Sequence, residues 1–134
     1  MQDVRPASPA SVSEFAQKWY VVQRAVIDGG DLRSIHDHAL ARADSGSTSL
    51  GDHQVPDAPV VYADPSLDML LESVRPKVEV ATGRRLWPTY SYLRVYKRGN
   101  LLAAHLDRPS CEISMTVNLG MDADEPWPIG SRQW

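Results

Sequence analysis

The stretch that decides the fold runs from Leu86 to Leu119 and reads LWPTYSYLRVYKRGNLLAAHLDRPSCEISMTVNL. From Thr89 to Tyr96 the residues alternate. Tyr90, Tyr92, Arg94 and Tyr96 fall on one face, and Thr89, Ser91, Leu93 and Val95 on the other. That period of two belongs to a strand and not to a helix. Lys97-Arg98-Gly99-Asn100 supplies a turn, and Leu101–Leu106 a second strand. Asp107-Arg108-Pro109-Ser110 supplies the next turn, with proline pre-setting its backbone. The third strand alternates cleanly, with Glu112, Ser114, Thr116 and Asn118 on one face and Ile113, Met115, Val117 and Leu119 on the other. The stretch therefore predicts three short strands joined by turns.

At its centre lies His105-Leu106-Asp107. Residues i and i+2 of a strand point the same way, roughly 6–7 Å apart at the backbone. An imidazole nitrogen and a carboxylate oxygen so placed can converge on one metal ion. They form two thirds of the 2-His-1-carboxylate arrangement that holds non-haem Fe(II) with open positions. The tripeptide alone has a plainer reading, a local His–Asp hydrogen bond at a strand end. The surrounding residues extend the pattern: Pro88-x-Tyr90-x-Tyr92-x-Arg94-x-Tyr96, Gly99, Leu102, His105 and the run Asp107–Ser114. Together they resemble the iron- and 2-oxoglutarate-dependent dioxygenases of the prolyl-4-hydroxylase-like group, from near Val60 to Ile129, with a weaker echo upstream.

The resemblance implies a mostly β fold with flanking helices, a double-stranded β-helix (jelly-roll, cupin-like) of which only the first core strands are present. It makes His105 and Asp107 the first two iron ligands. Tyr96 matches a position that hydrogen-bonds the far carboxylate of 2-oxoglutarate; an ordinary barrel aromatic is the other reading. Ser114, Thr116 and Asn118 either line the cosubstrate pocket or face water. Arg94 either orients a carboxylate or makes a cross-strand ion pair, and Arg108 braces the turn or meets substrate at the rim. The implied cofactors are Fe(II), 2-oxoglutarate and O2, and the implied reaction hydroxylates a substrate while 2-oxoglutarate loses CO2 to become succinate. Nothing in the sequence selects a peptide over a small molecule as that substrate.

Two parts of the family pattern are absent. The second histidine ligand comes from a later strand, and no histidine follows Asp107. The basic residue that pairs with the cosubstrate also has no match, since Arg132 is the one basic side chain beyond Arg108 and stands too early. The expectation is the N-terminal part of a dioxygenase domain. The alternative is a non-catalytic half-barrel, a binding or assembly module or an inactive fragment, that self-associates through unfinished sheet edges.

Working outward, the 134 residues make one domain, divided into a loose arm over 1–12, a flanking strand and helix region over 13–83, and core strands over 86–129. A net charge of -3 gives no footprint for nucleic acid. No run has the apolar length of a membrane span, and the first residues lack the order of a signal peptide. The single cysteine, Cys111, excludes an internal disulfide and fits a reducing, cytoplasmic setting, where it reads as a small buried hydrophobe. Ser11-x-x-Glu14 has the form of a capping box for a short helix over 13–18. Trp19–Ile27 reads as a strand, and Asp31 as the cap of a helix carrying Leu32, Ile35, Ala39, Leu40 and Ala43. His36 and His38 lie on that helix at a spacing that turns their rings apart, so both read as solvated. His53 sits in a Gly/Ser/Asp/Pro loop over 43–59. Ser66 is expected to cap a helix with Leu67, Leu70, Leu71, Val74 and Val78 on its buried face, kinked or split at Pro76 and ended by Gly83. Asp122–Glu125 lacks the spacing of a calcium loop and reads as a solvated turn.

Overall fold

The computed structural model describes residues 9–46 and 50–130. The arm expected over 1–12 lies outside the described residues as far as residue 8, and so does Arg132. Three helices and one two-stranded sheet form the described fold: α1 (Pro9–Lys18), α2 (Gly29–Asp44), β1 (Val60–Tyr62), α3 (Pro65–Thr82) and β2 (Tyr92–Arg94).

The longest element, α3, is fixed at both ends by local chemistry. Asp64 caps its start, accepting from the amides of Ser66 (2.9 Å) and Leu67 (3.3 Å) through Oδ1. Pro65 occupies the first turn, where a missing N–H costs nothing. The cap is thus Asp64 and not Ser66. At the other end Gly83 takes the left-handed conformation (φ 69°), as expected, and its amide returns to Glu79. A side chain at Gly83 would also meet Val12 of α1 at 2.9 Å, so the glycine lets α1 pack against α3. Leu67, Val74 and Ala81 are buried along the predicted face. Pro76 lies inside the helix without dividing it, because the caps and this buried face outweigh one missing backbone bond.

In place of the strand expected over Trp19–Ile27 there is irregular chain. Trp19 continues the end of α1 by bonding to the Phe15 carbonyl (2.8 Å), and both Trp19 (φ 64°) and Ala25 (φ 52°) turn left-handed. Neither conformation belongs to a strand. Lys77 of α3 donates to the Val26 carbonyl and ties this segment down. The cap of α2 is Asp28, bonded to the amides of Gly30 (3.0 Å) and Asp31 (3.1 Å), three residues before the predicted one. The start of α1 at Pro9 likewise precedes the predicted capping box.

The jelly-roll expectation is overturned. Among the described residues the only sheet is β1 paired antiparallel with β2, Val60 opposite Arg94, Val61 opposite Leu93 and Tyr62 opposite Tyr92. The ladder extends one bond at each end, from Val95 to the Pro59 carbonyl and from Ala63 to the Ser91 carbonyl (both 3.0 Å). The central part of the predicted first strand therefore forms, but its partner lies upstream and not in the next hairpin arm. The turn after it explains why. Asn100 accepts from the Lys97 amide (2.7 Å) and donates to Asp57 (2.8 Å), which draws the chain toward the 51–58 loop and away from β2. Leu101 and Leu106 are then 77% and 76% exposed, and the predicted second strand has no ladder. Over 112–119 the alternation of exposure follows the predicted faces residue by residue, yet no strand pairs there. Alternation requires an extended chain with one covered side; a sheet also requires backbone partners.

Among the described residues the core is small, made of Ala39, Val55, Ala58, Val60, Val61, Leu67, Val74 and Ala81, and no side chain larger than valine is fully buried. With so little apolar burial, polar ties between elements carry unusual weight. The strongest candidate is Asp64, 5% exposed, whose Oδ1 meets His38 Nε2 at 3.0 Å and whose Oδ2 pairs with Arg42 Nε at 3.2 Å, joining α2 to the start of α3. His38 is therefore engaged and not freely solvated.

Two outcomes are expected. Asp64→Ala removes cap and pairing together and lowers unfolding free energy by about 2–4 kcal/mol in a urea titration. The pH dependence follows from the carboxyl itself. Burial pushes its pKa up, but the His38 ring and the Leu67 and Ser66 amides hold it below the usual range on balance. A depressed folded pKa gives stability that is present above the unfolded value, near 3.9, and lost as pH falls below it. Asp64→Asn keeps a capping oxygen without the charge, so the gap in urea midpoint between wild type and this variant narrows as pH drops from 7 toward 3.

Candidate functional site

His105 and Asp107 come together, although no strand carries them. His105 Nε2 lies 3.5 Å from Asp107 Oδ1, and both side chains are partly exposed. The outer atom of each is fixed. His105 Nδ1 lies 2.9 Å from the Ala103 carbonyl, and Ser114 Oγ lies 2.6 Å from Asp107 Oδ2. A carbonyl only accepts, so Nδ1 carries a hydrogen and donates it. On a neutral ring Nε2 then presents a lone pair toward an acceptor-only carboxylate oxygen. Two lone pairs so aimed repel unless a cation lies between them, either a proton on Nε2 or a metal ion.

The donor set supplies one imidazole and one carboxylate, short of the three protein ligands of a catalytic metal site. The 3.5 Å separation lies within the span of one ion about 2.1 Å from each donor. Ligating histidines almost always donate their other ring N–H to a carbonyl or carboxylate, and ligating carboxylates are themselves hydrogen-bonded. Both features are present. The set stops at two, since no group of three or more His, Cys, Asp or Glu able to hold a metal occurs among the described residues.

The other expected site residues lie elsewhere. Tyr96 Oη accepts from Arg94 Nη1 (3.2 Å), and its ring packs edge-on against Trp127 at 6.1 Å. Thr116 and Asn118 are exposed, and Asn118 accepts from the Gly120 amide (3.0 Å). Ser114 is exposed too, with its hydroxyl committed to Asp107. Arg108 lies over the Tyr90 ring at 5.8 Å and braces the turn, and Cys111 is half-buried with Sγ 3.4 Å from Tyr90 Oη. That contact is the first cause of the upward shift in the Tyr90 pKa, ahead of burial. Tyr90 in turn stacks at 4.9 Å on Tyr62, the end of β1. A cleft of about 330 Å³ lies between the second half of α3 and Arg85–Pro88, lined by none of these residues.

A second polar cluster has no simple sequence signal. Asp52 accepts from the amides of Gln54 and Val55 (both 2.9 Å), from Tyr92 Oη (2.6 Å) and from Arg94. Gly51 precedes it with φ 79°, where a side chain would collide with the Pro56 carbonyl. Arg94 thus makes an ion pair, but with a loop residue and not across the sheet. The Tyr92 hydroxyl, the Val55 and Gln54 amides and Arg94 hold the Asp52 carboxyl far below the usual carboxylate range. Burial and the bond to Asp52 push Tyr92 up. Asp52→Ala removes one of those two causes, so its spectrophotometric tyrosine titration is expected to show one residue ionising at lower pH than in wild type.

No protein-family model, curated protein or solved structure matches the chain, so any functional reading rests on the residues themselves.

Proposed function

We propose that His105 and Asp107 hold a divalent metal ion and that the chain has the iron- and 2-oxoglutarate-dependent oxygenase chemistry its sequence resembles. One observation carries this reading: both donors are fixed at their outer atoms, by Ala103 and Ser114, while their inner atoms face each other at 3.5 Å. Fe(II), when bound, supplies the oxidising chemistry that couples 2-oxoglutarate decarboxylation to hydroxylation. The protein's own work is to present one imidazole nitrogen and one carboxylate oxygen, each oriented by a neighbour. The site lies on irregular chain, and no histidine follows Asp107 in the sequence.

The test is an anaerobic titration of purified protein with Fe(II) and 2-oxoglutarate, following the visible charge-transfer band of the chelate. The band is expected in wild type and lost in both His105→Ala and Asp107→Ala. A folded wild-type protein that gives no band overturns the oxygenase reading.

Exposure along the same segment supports a second reading, assembly with another copy of the chain. Leu101, Leu106 and Ile129 are each more than three-quarters exposed within a stretch that lacks backbone pairing. Light scattering over a concentration series is expected to show mass rising for wild type and staying at monomer for Leu101→Lys combined with Leu106→Lys. A wild-type mass that stays monomeric throughout removes this reading.

A further inference from the structure

We infer that residues 112–119 are the edge through which two copies of the chain pair, as antiparallel strands about a two-fold axis at Thr116; this rests on the assembly reading above and names its contact. The segment reads Glu-Ile-Ser-Met-Thr-Val-Asn-Leu and holds neither proline nor glycine. Its exposure alternates without a break. Ile113, Met115, Val117 and Leu119 are half-buried, and Glu112, Ser114, Thr116 and Asn118 are exposed. Yet among the described residues the segment makes no backbone hydrogen bond. It has the side-chain pattern of a strand and an unpaired row of amides and carbonyls, the feature that templates pairing with another chain.

The segment is complementary to itself. An antiparallel pair keeps its faces together only when opposed positions share parity. With Thr116 opposite itself, Ile113 faces the partner's Leu119, Met115 the partner's Val117, Ser114 the partner's Asn118 and Glu112 the partner's Gly120. The four apolar residues of each copy then share one face, threonine meets threonine, and no charge within the segment opposes a like charge. The flanks select the second copy and its direction. Arg108 precedes the segment and Asp122, Asp124 and Glu125 follow it, all exposed, and the three carboxylates have no ion pair among the described residues. Asp107, the carboxylate next to Arg108, is already engaged by Ser114 and His105. Antiparallel pairing sets each copy's Arg108 beside the other's acidic flank, twice by symmetry, whereas parallel pairing sets the two acidic flanks together.

The experiment uses the full chain carrying Cys111→Ser, so that one introduced cysteine reports on the same position in the partner. Under mild oxidation Thr116→Cys is expected to give a disulfide-linked dimer, because directly opposed residues of an antiparallel pair stand about 4.5–5.5 Å apart, within disulfide reach. Glu112→Cys is expected to stay unlinked, since its two copies fall roughly 26 Å apart along the pair. A second measurement uses sedimentation at low salt, with circular dichroism verifying each fold. Thr116→Lys and Thr116→Glu each set like charges face to face and are expected to weaken self-association about 5-fold, while an equimolar mixture of the two regains it. Thr116 is exposed, so neither change disturbs the isolated chain. Wild type that associates while Thr116→Cys stays unlinked and both charged variants associate like wild type overturns this pairing and leaves assembly through other residues. Equal linkage at 112 and 116 overturns the antiparallel register. Wild type that stays monomeric at every concentration removes the assembly reading, and this inference with it.

Discussion

The fold depends on one nearly buried carboxylate. Asp64 stands where β1 hands the chain to α3, and its two oxygens face three different needs at once: the free amides of a helix start, the His38 ring and the Arg42 guanidinium. A carboxylate is costly to remove from water unless each lone pair finds a donor. Here Oδ1 takes the hydrogen bonds and Oδ2 the ion pair with Arg42, and the partners come from α2 and α3. Satisfying Asp64 therefore requires the two helices to sit together, which a core with nothing larger than valine fully buried would specify only weakly.

Asp52 does the same for the sheet. A ladder of three residues on each side gains little from backbone bonds alone, since an isolated two-stranded pair is marginal. Asp52 folds its own loop by capping two amides, then takes the Tyr92 hydroxyl and the Arg94 guanidinium from the face of β2. Beyond that pin the turn at Asn100 sends the chain off the sheet edge. Among the described residues from Leu101 onward the ties to the rest of the fold are Cys111 and Arg108 on Tyr90, Trp127 on Tyr96, and Gly120 against the His36 ring, where a Cβ would come within 2.5 Å.

What the sequence made legible follows this division. Period and punctuation located α3, its buried face and its glycine stop, because those depend on neighbours within one turn. Caps were misplaced by a few residues because several Asp and Ser side chains compete near the helix starts; at α3 the pairing of Asp64 with His38 and Arg42 favours it over Ser66. The sheet was misjudged more deeply. The faces over 112–119 were right, but facing is a property of one extended segment and pairing a property of two. The choice of β1 as partner for β2 was made by Asp52, a loop residue distant in sequence that no periodicity marks. At the candidate site His105 lies beside Asp107, but on irregular chain and not in the strand whose i, i+2 spacing predicted it. Ser114 was singled out from its face in a strand, and its contact with Asp107 became visible only once the turn between them closed.

The exposure of the His105–Asp107 pair bears on what the arrangement is for. As a simple ion pair at the surface it contributes little to stability, since such pairs are screened by water and salt. Fixing a histidine ring to a backbone carbonyl and a carboxylate to a serine also restricts two side chains that solvent would leave free, an entropic loss that a weak pair hardly offsets. Under the proposed metal reading a divalent ion would change the balance, since it would gain from every degree of freedom already removed. The outer hydrogen bonds are thus a cost for the pair standing alone, and would be an advantage for the pair in the proposed role of ligand set.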